Sequence, residues 1–124
     1  MATLAFIHDR LSVTVLLFLL AVGVWALWNA LRGEGMSGSL WGALVVGEIL
    51  ILVEGLIGGG LFLAGLRPAR SAIHILYGLV LAFSLPAAFS YTRGRSSRAE
   101  TLIYAIVALF LAGVTIRARL TGGG

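Results

Sequence analysis

Cysteine and lysine are both missing from this 124-residue chain, and proline occurs only twice. Without cysteine there is no disulfide framework, no thiolate metal site and no cysteine nucleophile. Without lysine, the glycine-rich stretches lack the cation that a nucleotide-binding loop places on its phosphates. Charge is scarce too: 11% of residues are charged against 60% hydrophobic, and mean hydropathy is +1.05. That composition lies far from a soluble globular domain and matches an integral membrane protein. The nine basic residues, all arginine, give a net charge of +4, and they flank the apolar runs, where basic side chains meet lipid headgroups. Nucleic-acid binding is not expected, since it needs a basic soluble surface.

What the chain has is long apolar runs. A bilayer core of roughly 30 Å takes about 20 residues of helix. Four runs meet that length: Leu11–Leu31, Leu40–Leu66, Ser71–Tyr91 and Thr101–Ile116, the last extended over 99–118. The short connections "RGEGMSGS", "RPAR" and "RGRSSRAE" carry turn and breaker residues, which makes neighbouring helices antiparallel. The expected fold is all-α, an up-down-up-down four-helix membrane bundle that fills residues 1–124 as one domain. Pro68 should stop the second helix and Ser71 cap the third. The first run is too long for a cleaved signal peptide. "LFLAG" at Leu61–Gly65 and Leu109–Gly113, and "IH" at Ile7-His8 and Ile73-His74, suggest a duplicated hairpin. Arginines divide almost evenly between the two sides, with a slight excess beside the termini, which places both termini on the cytoplasmic side of the cell's inner membrane.

Two carboxylates, Glu48 and Glu54, interrupt "GEILILVEGLIGGG". An acid inside a membrane helix is a functional candidate by default. At about 100° per residue, Glu54 shares a stripe with Gly47, Gly58 and Gly65, and Glu48 shares another with Gly55 and Gly59. Small-residue stripes let helices approach closely, so the second helix is expected to be the tightly packed centre of the bundle. Counting 1.5 Å per residue sets Glu54 about 18 Å and Glu48 about 27 Å from the N-terminal side. This depth offers Ser84 or Tyr104 as partners for Glu54, and Asn29 or Ser90 for Glu48. No arginine lies within a run, so neither acid has an evident ion-pair partner. Two neutral acids holding helices together is the expectation, since the neutral form both donates and accepts hydrogen bonds. Pro86 should kink the third helix.

His8 and His74 lie on the same side of the membrane. Ordinary interfacial histidines are expected, with His8 embedded in "IHDR". The alternative is a pair of axial ligands on a haem iron, a layout similar in outline to the b-type cytochromes. A start of the first span at Leu11 opposes it, because His8 and His74 would then be offset by roughly 9 Å. Two histidines alone make a poor zinc site, and no Ser-His-Asp set lies in reach, so the chain is not expected to be an enzyme. Trp25, Trp28, Trp41 and Tyr91 read as an interfacial belt on the far side.

The leading expectation is a non-catalytic accessory subunit that holds no cofactor, packed among lipid and larger subunits of an energy-transducing complex. The alternatives are a homodimeric proton-coupled transporter or channel using Glu54, and a small cytochrome holding haem b. In size, span number and embedded carboxylate the chain is similar to the small multidrug resistance family, whose essential carboxylate lies on the first span; here that span has none.

Overall fold

The computed structural model describes residues 2–65 and 71–121. Four helices run through them: α1 (Ala2–Leu31), α2 (Gly38–Leu63), α3 (Ser71–Thr92) and α4 (Arg98–Thr121). Each carries an 18-residue window of mean hydropathy between 1.9 and 2.3, long and apolar enough to cross a membrane. Consecutive helices pack side by side and α4 closes the ring against α1, while α1 and α3, and α2 and α4, stand on diagonals. This is the expected all-α four-helix bundle. The stop at Pro68, and Arg67 and Arg70 beside it, fall outside the described residues.

α1 starts earlier than expected. "ATLAFIH" is apolar enough to propagate the helix back to Ala2, so α1 has 30 residues and a length of about 45 Å. His8 is therefore the seventh residue of a helix and not part of a leading loop. Pro86 lies inside α3, and the helix continues past it to Thr92.

The centre of the bundle is α4, not α2. Half of the apolar window of α4 is buried, against 22% for α2. The reason is a stripe of small residues on each of two helices. Ala105, Ala108 and Ala112 on α4, and Gly23, Ala26 and Ala30 on α1, are all buried, at the three- and four-residue spacings that share a helix face. Backbones approach there: a methyl group added at Gly23 would stand 2.7 Å from Leu109 Cδ2. On α2, by contrast, Gly55, Gly59 and Gly60 have open space beside them.

The end of the bundle that carries the α1–α2 and α3–α4 connections is tied tightly. Buried Tyr104 shares a 2.8 Å hydrogen bond between its hydroxyl and Thr92 Oγ1, and its ring meets Trp41 edge-on at 5.2 Å. Trp41 also packs on Phe89 and donates Nε1–H to Ser96 Oγ at 3.1 Å. It thus turns inward, while Trp25, Trp28 and Tyr91 face outward as a belt residue should. The Arg98 Nε–H donates to the Ala30 carbonyl at 2.6 Å, and the Met36 N–H to the Ser96 carbonyl at 2.9 Å. Gly35 permits that loop-to-loop contact, since a Cβ there would collide with the Ser96 carbonyl. Ser37 caps α2 by accepting the Leu40 N–H. At the start of α4 the Glu100 carboxylate reaches back to accept both the backbone N–H and the hydroxyl of Ser97. The two "LFLAG" stretches are not equivalent: Leu61–Gly65 closes α2, whereas Leu109–Gly113 lies midway along α4.

Candidate functional site

The opposite end of the bundle, where α1 begins and α4 ends, is open. α2 and α3 touch there less than any other neighbouring pair. Between them lies a cavity of about 1290 Å³ backed by α1 and α4, larger than the roughly 300–1,000 Å³ of an ordinary ligand pocket. Its walls are mostly aliphatic and glycine. Polar groups gather on one side of it: His8, Asp9 and Ser12 from α1, Glu54 from α2, His74 from α3 and Arg119 from α4.

Two imidazoles meet edge-on across the diagonal of the bundle. The ring centres of His8 and His74 are 6.4 Å apart, with the planes at 68°. Each ring is held through Nδ1. His74 Nδ1 lies 2.8 Å from the Ala118 carbonyl and 3.3 Å from Thr121 Oγ1. His8 Nδ1 lies 3.0 Å from Glu54 Oε1. That contact is a close pairing without the alignment of a full hydrogen bond, and neither atom has another partner among the described residues. No hydrogen bond engages Nε2 of either ring among the described residues. Gly58 lets α2 come close enough for this, since a methyl group there would stand 2.8 Å from His8 Cε1. Arg119 secures the floor: its Nη1 lies 3.3 Å from Asp9 Oδ1, donates to the Asp9 carbonyl at 3.1 Å and donates to Ser12 Oγ.

Several expected pairings do not form. Glu54 meets His8, and neither Ser84 nor Tyr104. Ser84 Oγ donates to the Val80 carbonyl at 2.6 Å, and Tyr104 lies at the closed end. The cause is the register of α1: with a start at Ala2, His8 descends to the level of Glu54 and supplies the partner that no arginine could. The stripe of Glu54, Gly47 and Gly58 does pack, with Gly47 on Phe18 and Gly58 on His8, while Gly65 ends the helix with open space beside it. The stripe of Glu48, Gly55 and Gly59 does not. Glu48 Oε1 is buried without a hydrogen bond, and neither Asn29 nor Ser90 reaches it.

The sequence reading missed Asp9, Ser12, Arg119 and the Ala118 carbonyl. A signal existed for Ser12, because its four-residue spacing from His8 puts both on one helix face. Nothing in the sequence marks a backbone carbonyl as a histidine acceptor. The donor set suits a flat ligand held from both sides better than a bare metal ion. No group of three His, Asp or Glu converges on a metal-sized point among the described residues, whereas a structural zinc needs four ligands and a catalytic one three.

The fold and the outward-facing surface make the chain a small multi-pass membrane protein. Leu56 and Leu63 are 78% and 87% exposed on α2, and residues of this kind cover the bundle as a surface suited to lipid. Compared with protein-family models, curated proteins and solved structures, the chain finds no match.

Proposed function

We propose that the bundle is a membrane haem protein of the b type, in which His8 Nε2 and His74 Nε2 hold the iron from opposite faces. The observation that carries this reading is the 6.4 Å between the two ring centres. A metal bound by two opposed imidazoles at about 2.0–2.1 Å each sets their ring centres about 6.4 Å apart. The pattern of support agrees. Histidine ligands characteristically donate the second ring nitrogen to a carboxylate or a backbone carbonyl, which fixes tautomer and orientation; Glu54 and the Ala118 carbonyl stand in those two places.

Bound haem would supply one-electron chemistry, its potential set by the axial ligands and their surroundings. The chain's residues orient the two imidazoles, supply aliphatic walls between α2 and α3, and place Arg119 beside the polar groups of α1. If His8 and His74 both ligate the iron, the bound group would serve electron transfer rather than substrate binding. An accessory role in a larger membrane complex is compatible with this reading. Transport through Glu54 is less well supported, because that acid is committed to His8.

The test is an absorption spectrum of the full chain purified in mild detergent from haem-replete cells. A low-spin Soret band lost in His74→Ala and in His8→Ala, with helical circular dichroism retained, supports the reading. A colourless protein that also fails to take up added haemin sinks it.

A further inference from the structure

On the reading that His8 and His74 hold a haem, we infer that Glu54 is a positioning residue that fixes the His8 ligand and holds the iron at a lower reduction potential than two carbonyl-supported histidines would.

The inference rests on which acids have partners. Asp9 pairs with Arg119 at 3.3 Å, Glu34 with Arg32 at 3.2 Å and Glu100 with Arg95 at 3.7 Å. Glu48 lies outside the cavity wall. Glu54 is the one acid of that wall that meets a histidine and no arginine among the described residues. It is mostly shielded, with its side chain 15% exposed, and an acid within a membrane helix is costly. Something must make that position worthwhile, and the group within reach is His8 Nδ1.

The two ligands are therefore supported unequally. A carbonyl holds His74 and a carboxylate holds His8. With Nε2 on iron, His8 Nδ1 would carry the proton, and Glu54 Oε1, 3.0 Å away, is the acceptor within reach once the two align; accepting it would raise ligand basicity. Ferric haem carries one more positive charge than ferrous haem. A carboxylate one ring away stabilises the ferric state more than the ferrous one, and burial enlarges the difference. His74, leaning on a neutral carbonyl, gives no such bias.

The experiment compares the full-length wild type with Glu54→Gln, Glu54→Asp and, as a control outside the cavity, Glu48→Gln, each loaded with haem b in detergent. Redox titration and haemin affinity are read on all four. Glu54→Gln should shift the one-electron equilibrium about tenfold toward the reduced form, a rise of about 59 mV. It should also weaken haemin binding about 10- to 100-fold. Glu54→Asp should recover part of both, and Glu48→Gln should change neither. Equal potentials and affinities in wild type and Glu54→Gln overturn the inference while leaving the haem site standing. If Glu54→Gln does not fold, Glu54→Ala decides: a wild-type potential with wild-type affinity overturns the inference, and a raised potential with weaker affinity supports it. A wild type that takes up no haem overturns the inference together with the reading beneath it.

Discussion

The two ends of this bundle are built from the same kinds of residue and do opposite things. At the connection end, small residues on α1 and α4 bring backbones together, and Tyr104, Trp41 and Thr92 fill what remains. At the terminal end, α2 and α3 also carry small residues, but those of Gly55, Gly59 and Gly78 have nothing beside them. A stripe of small residues therefore does not by itself make a contact. It removes side-chain bulk, and the space is closed by another helix at one end and left as a cavity at the other.

The comparison is open to direct attack. Tyr104→Ala should do most damage, since it empties the closed end and leaves Thr92 Oγ1 only its longer bond to the Phe89 carbonyl; a loss of about 3–5 kcal/mol is expected for deleting a large buried aromatic ring. Thermal unfolding in detergent followed by circular dichroism measures it. An unchanged midpoint would show that the closed end is not what holds the helices together.

Gly58→Ala acts at the open end. The new methyl group would press on His8 Cε1, 2.8 Å away, so the ring must shift away from Glu54. Haemin affinity should fall roughly tenfold, as for disturbance of a ligand's supporting shell, with the unfolding midpoint nearly unchanged. The opposite result, an early midpoint with normal haemin uptake, would make Gly58 a packing residue only. Gly42→Ala sharpens the contrast from the other side, because that glycine lies mid-turn in α2 with no atom near its missing side chain. Here the substitution should be neutral or add up to about 1 kcal/mol from helix propensity alone, visible as a small rise in the same midpoint.

The four helices could be read directly. Lipid allows only helices and closed barrels, and continuous apolar runs of about 20 residues are too long and too uniformly apolar for barrel strands. Even the two stripes on α2 follow from helical geometry, and the Glu54 stripe packs as that geometry requires. The identity of the central helix could not be read this way. Glycines drew attention to α2, while the alanines at 105, 108 and 112 gave α4 an equally narrow face without standing out in a chain rich in alanine.

The site was legible in its parts and not in its assembly. His8 and His74 were recognisable as a pair on one side of the membrane, and Glu54 as an acid in need of a partner. What joined them was a shift of α1 by less than three turns, from a start near Leu11 to a start at Ala2. Helix ends are set by small differences in propensity and capping, so a sequence leaves them loose.

The sequence by itself determined that this chain folds as four membrane-spanning helices in antiparallel order, because unpaired backbone groups are costly in hydrocarbon and long, continuous apolar runs satisfy them as helices and not as barrel strands. Tertiary structure alone decided which glycines face a neighbour and which face a cavity, and that Glu54 meets His8 while His74 meets the Ala118 carbonyl. Those outcomes depend on axial register and rotation between helices, which follow from the summed packing of many weak contacts.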